Sequence, residues 1–230
     1  MATLTGSDHG EDIADLSTYT FSARAIGTAN ILRTVVAALM WRSANSATVN
    51  SVTIGGIAAD LIASFFTAQT GGVVAVADVP TGTTADVVLA LAASCGRVAC
   101  NVAYSNVLLN HTPIDTAQYL VGGGATIDLD LDISSLGVAI GMAFVANAAA
   151  ASTCTWTGMT EFQDNAVGES SNFHSAALVS AGALETNRDV SAVWSQVGNH
   201  FGISASFAPL IAIGGCLVDG LKLNRPRLVA

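Results

Sequence analysis

The chain has 230 residues, enough for one large β domain or two small ones. Hydrophobic residues make up 51% and charged residues only 11%, against the quarter usual in soluble domains. A net charge of −9 with eight basic residues leaves no stripe to neutralise phosphates, so the expectation is no nucleic-acid partner.

Along the chain, residues 1–17 hold Asp8, Glu11, Asp12 and Asp15 and no basic residue. They read as an acidic N-terminal arm outside the folded body, with no secretory signal pattern. Period-2 alternation then predicts strands at 18–26, 34–42, 51–54, 73–79, 85–91 and 97–104. Between them stand turn signals, Gly55-Gly56, Gly71-Gly72 and Pro80-Thr81-Gly82. Residues 121–125, VGGGA, read as a flexible turn, because acidic residues follow where a phosphate-binding loop would open a helix. The longest uncharged run, 133–160, is interrupted by Asn147 and rich in Ala, Gly and Ser. A membrane span needs about 20 strongly apolar residues, so this run is expected to be strand and no membrane association is expected.

The chain repeats itself at a distance of about 102 residues. Residues 35–61 align with 138–162, setting Thr53-Ile54-Gly55-Gly56 on Thr155-Trp156-Thr157-Gly158, and residues 85–105 align with 188–208. The fold class is therefore all-β: a jelly-roll-like antiparallel β-sandwich, residues 18–208, built from pseudo-symmetric halves at 18–105 and 126–208. Two separate sandwich domains are the alternative. Residues 209–230 form a C-terminal arm with a basic end at Lys222, Arg225 and Arg227. An acidic head and a basic tail point to arms that dock on neighbours, making all six charged residues Asp8, Glu11, Asp12, Lys222, Arg225 and Arg227 candidate interface positions. The low charge of the whole chain points the same way, to a homo-oligomer or a larger assembly that covers its surface.

Asp128, Asp130 and Asp132 alternate with Ile127, Leu129, Leu131 and Ile133. A cation bridge between subunits or a catalytic carboxylate cluster would use such residues. The wet face of a half-buried strand fits better, because the equivalent strand of the first copy carries Thr20, Ser22 and Arg24 there. Side chains two apart on a strand also stand about 7 Å apart, too far for three to ligate one ion unaided. The cysteines 95, 100, 154 and 216 have no metal-ligand spacing and read as free thiols. The histidines 9, 111, 174 and 200 are scattered, and no nucleophile elbow, metalloprotease helix or P-loop motif occurs. No catalytic residue, metal or cofactor is assigned. Trp41 and Trp194 read as core. Trp156, flanked by threonines and followed by a turn, is the candidate exposed binding aromatic, with Glu161 and Asp164 nearby.

The run SVTIGGIAADLI followed by DVPTGTTADVVLAL, with TWTG in the second half, resembles a group of structural proteins of tailed bacteriophages. The resemblance covers roughly residues 18–208 and rests on turn-and-strand patterns. It implies a non-enzymatic virion component that binds the major capsid protein or other virion subunits, with a capsid decoration or cement protein as the leading expectation. A head fibre, or a tail- or fibre-associated module that binds a receptor or glycan, is the alternative.

Overall fold

Two nine-residue stretches set the architecture: Thr34–Arg42 and Val138–Ala146 are buried almost from end to end. A strand with water on one face alternates apolar and polar, whereas a strand covered on both faces reads as an unbroken apolar run. Both stretches are of the second kind, so each must lie inside a stack with a core on either side.

A computed structural model describes residues 1–42, 46–120, 126–168, 171–213 and 216–218. The first half contains β1 (Thr5–Asp12), β2 (Leu16–Ala25), β3 (Thr34–Arg42), β4 (Val49–Ile54), β5 (Ile57–Ala58), β6 (Asp60–Phe66), β7 (Thr70–Asp78) and β8 (Thr84–Ser105). The second contains β9 (Asp115–Tyr119), β10 (Thr126–Asp128), β11 (Leu131–Ile133), β12 (Val138–Ala146), β13 (Cys154–Thr157) and β14 (Thr160–Ala166). It continues with β15 (Asn172–Ser180), β16 (Glu185–Arg188), β17 (Ser191–Trp194) and β18 (Asn199–Phe207), and a hairpin of β19 (Ile211–Ile213) and β20 (Cys216–Val218) follows. Every ladder is antiparallel, and the protein is an all-β sandwich.

Two inner sheets carry the same strand order. In the first half it is β6-β7-β3-β8-β1, and in the second β14-β15-β12-β18-β9. Each inner sheet is covered on its far side by an outer one. The first cover is β2, the early part of β8, β4 and β5; the second is β10-β17-β13 with β11-β16. β8 serves both layers of its half. Up to Cys95 it pairs with β2 and β4, and from Gly96 on with β3 and β1. The bend between these parts falls at Arg97, whose φ of 57° is left-handed. The sequence splits this strand in two, but the segment Ala92–Arg97 bends within the ladder instead of turning.

Layers in this order make three cores. Val35, Ala37, Leu39 and Trp41 of β3 face the first cover, while Val36, Ala38 and Met40 face the second half. There they meet Ile140, Met142 and Phe144 of β12 and Ile203 and Phe207 of β18. Ala139, Ala143 and Val145 face the second cover, with Ile127, Leu129 and Trp194. The sequence predicts one core between two halves; the protein has a core within each half and a third between them. No helix among the described residues is long and apolar enough to cross a membrane, and the apolar run from 138 is β12, buried on both faces.

The amino-terminal residues lie in the fold rather than outside it. β1 closes the open side of β8, and Ala2 and Leu4 join the central core. The expectation of a separate acidic arm missed this because the strand is polar: TGSDHGED has no apolar alternation to mark it.

Phe144→Ala removes a fully buried ring from the central core and is expected to cost about 3–5 kcal/mol in urea denaturation. The whole chain should unfold in one shifted transition. Two separated transitions would mean that the halves fold as independent units.

Candidate functional site

The loop between β2 and β3 carries the most exposed large apolar side chain of the described residues, Ile31, at 83% exposure, next to Leu32 at 43%. A tip of that kind normally retreats or moves. This one is braced by Arg33, which is fully buried and surrounded by backbone carbonyls. Its Nε donates to Val79 (2.7 Å), Nη1 to Gly27, Thr28 and Gly82 (2.9–3.0 Å), and Nη2 to Thr81 (2.5 Å). Five carbonyls satisfy a guanidinium without a carboxylate, and burial lowers its pKa from the ordinary arginine value. Backbone bonds from Ile26 to Thr83, Asn30 to Pro80 and Val79 to Arg33 close the same two loops together. The Asn30 side chain also accepts from the Leu32 amide at 2.8 Å. The only sequence signal is a lone arginine inside the apolar run NILRTVVAAL.

A second polar group crosses the central core. His174 of β15, fully buried, donates from Nε2 to Glu11 of β1 at 2.7 Å and accepts at Nδ1 from Asn101 of β8 at 3.0 Å. Beside it, Asn165 of β14 donates to His9 at 2.7 Å. Burial alone would push the Glu11 carboxyl up. The hydrogen bond from His174 is the leading opposing influence, and the net effect holds it below the ordinary glutamate value. These bonds join the halves through side chains.

A third group pins the segment that links the halves. His111 reaches Asp60 through Nδ1 at 2.6 Å and Asp78 through Nε2 at 3.3 Å. Thr34 donates to the same Asp78 oxygen at 2.6 Å and accepts from the Leu109 amide at 3.1 Å. The bond to Asp78 raises the His111 pKa against the opposing effect of burial, and Asp60 adds to the rise. For Asp78, burial raises, but the bonds from His111 and Thr34 bring the net value below the ordinary aspartate value.

The sequence-derived candidates fall as follows. Asp8 accepts from the Ala25 amide at 2.7 Å and pairs with Arg24 at 3.4 Å, and Asp12 accepts from the Ala14 amide. With Glu11 on His174, all three carboxylates already have partners inside the chain. Trp156 does not present an open ring: on β13, Thr155 and Thr157 point outward while Cys154 and Trp156 turn in. Its ring lies over Gly141 and its Nε1 donates to Ser175 at 2.8 Å, a partner that the outward reading lacked. Ser175 in turn donates to the Gln163 carbonyl, so its hydroxyl serves the β14–β15 contact. Asp128, Asp130 and Asp132 are exposed, with Leu129, Leu131 and Ile133 inside. Asp130 accepts from the Val190 amide at 2.9 Å and Asp132 from the Asn187 amide at 2.6 Å. Cys95, Cys100 and Cys154 are free and buried; burial pushes the Cys95 thiol up to about 11 and the Cys154 thiol up to about 12. Lys222, Arg225 and Arg227, and the glycine turn at 121–125, lie outside the described residues.

The fold thus defines a class, the antiparallel all-β sandwich. No protein-family model matches the chain, and no curated protein matches it either.

The linker clamp has a pH signature. The raised His111 value contributes stability that is complete below about 6.5 and lost as pH rises through the folded value. The lowered Asp78 value contributes stability present above about 3.8 and lost as pH falls through its folded value. Thermal melts are therefore expected to peak between about pH 4 and 6.5, and His111→Gln should flatten the decline on the alkaline side. An unchanged alkaline limb in that variant would assign the decline to another group.

Proposed function

We propose that this chain is a non-enzymatic structural protein of a tailed-phage particle, a decoration or cement protein that binds the major capsid protein on the head. The observation that carries the reading is the braced apolar tip. Binding through a loop normally costs ordering entropy, about 0.5–1.5 kcal/mol for each immobilised side chain. Here Arg33 and the paired backbone have already fixed the loop, and Ile31 and Leu32 stand outside it ready for burial. Apolar area removed from water contributes about 25 cal/mol per Å², so a small contact repeated over a symmetric lattice adds up to firm attachment. The stacked sheets, joined through the central core, supply a body that spans a joint between capsid subunits. The ionisable clusters described above hold strands and loops of this chain to one another, which suits a mechanical role better than a chemical one. The glycan-binding alternative loses the outward aromatic ring on which it depended.

The test is co-sedimentation of the purified protein with phage heads that lack it. Saturable binding at a fixed ratio to the capsid subunit is expected, and Ile31→Asp should weaken it at least about tenfold while leaving the melting temperature within about 2 °C. Absence of binding to heads by the unaltered protein would overturn the assignment.

A further inference from the structure

The tip between β2 and β3 shares its end of the protein with the turn between β4 and β5. A Cβ at Gly55 in that turn would lie 3.3 Å from Val79 Cγ1 and 3.5 Å from the Ala85 methyl. Val79 is the residue whose carbonyl accepts from Arg33 Nε and whose amide donates to the Arg33 carbonyl. Arg33 and Val79 therefore tie residues 26–33, 54–58 and 79–84 into one unit. Within it, Ile54 pairs with Ile57 across a two-residue turn in which Gly55 and Gly56 have φ of 61° and 78°. A hairpin that tight fixes the residues beside it, and Ile57, the first of them, is 41% exposed. Three exposed aliphatic side chains, Ile31, Leu32 and Ile57, thus stand on a braced support.

In residues 26–33, 54–58 and 79–84 the one charged side chain is Arg33, which is buried. The charges that flank these segments are engaged within the fold. Arg24 pairs with Asp8, Asp86 accepts from the Ala23 amide at 2.7 Å, and Asp60 and Asp78 hold His111. In a chain of net charge −9 the result is a neutral, aliphatic end. A charged partner surface would lose hydration against it and gain no counter-ion, whereas an uncharged apolar depression would lose little. A bilayer fits less well. Elements that enter lipid combine apolar residues with tryptophan or tyrosine at the interface and with lysine or arginine for anionic headgroups. These segments contain no tryptophan or tyrosine, and their one basic residue is the buried Arg33.

We infer that Ile57 and the β4–β5 turn belong to the same contact as Ile31 and Leu32, and that the partner's surface there is an uncharged apolar depression. The inference rests on the particle reading, which supplies the major capsid protein as the partner; it adds the footprint and the chemistry of what that footprint meets. Attachment then comes from aliphatic burial and not from the charged ends of the chain.

Co-sedimentation with heads that lack the protein tests this through salt and through Ile57. The dissociation constant is expected to change less than about twofold between about 0.05 and 0.5 M NaCl, because screening acts on charges and this contact has none. Ile57→Asp should weaken binding at least about tenfold and Ile57→Thr about threefold, with melting temperatures within about 2 °C of the unaltered protein. The threonine variant keeps a β-branched side chain in β5 and serves if the aspartate variant unfolds. A larger weakening with salt, or binding indifferent to both Ile57 variants, overturns the inference and leaves the particle reading standing. Absence of binding by the unaltered protein at every salt concentration overturns both. Binding to vesicles of phosphatidylcholine and phosphatidylserine that Ile31→Asp and Ile57→Asp abolish gives this end to a membrane and overturns the inference. Self-association of the free protein that the same variants abolish gives it to a second copy, with the same consequence.

Discussion

Burial of both faces of the inner strands is the constraint from which the remaining features follow. A strand covered on one side needs one core; β3 and β12 need two each, and the only economical way to supply four covered faces is to share one of them. Sharing puts the two inner sheets in contact and leaves the covers outermost. It also explains the composition. Charged residues lie on covers, edges, loops and the ends or bends of inner strands, so the low charge of 11% follows in large part from three internal cores. The inference from composition to assembly is correspondingly weaker than it looks from the sequence, and the proposed contact rests on the braced loop.

Where polar groups enter these cores, each has to find a partner or carry a desolvation cost of about 1–3 kcal/mol. Arg33 finds carbonyls on two loops, and His174 finds a carboxylate on one half and an amide on the same half while itself belonging to the other. Such groups contribute little net stability but penalise misalignment heavily. If the two inner sheets slid past each other, Glu11, Asn101 and His174 would be buried without partners. The apolar contacts of the central core are by comparison tolerant of sliding, so register between the halves is set by this polar trio.

Much of the architecture was legible in the sequence. Strands with clear alternation or unbroken apolar runs, such as 34–42 and 85–91, and the wet face at Asp128, Asp130 and Asp132, followed from periodicity alone. β1 and β9 were not legible, because TGSDHGED and DTAQY are polar edge strands whose pairing comes from a neighbour distant in the chain. The bend in β8 has no turn residue pair to announce it. Trp156 is ambiguous in the sequence, because flanking threonines look the same whether the ring between them faces solvent or a core, and only the partner Ser175 decides. The braced loop escaped notice since its key residue is a single arginine, and the carbonyls it gathers have no sequence signature.

The two halves share a strand order, yet they differ where β8 bends. In the first half one strand of 22 residues passes from cover to inner sheet without leaving the ladder. In the second half the same passage is made by β17 and β18, with residues 195–198 free of strand between them and Val197 largely exposed. The first half therefore has its two layers sewn together by continuous hydrogen bonding, with no room for extra residues at that corner. The second half has a hem that can be let out: insertions between Trp194 and Asn199 lengthen a surface loop and leave every ladder in place, so this is the corner at which the fold can acquire a new appendage.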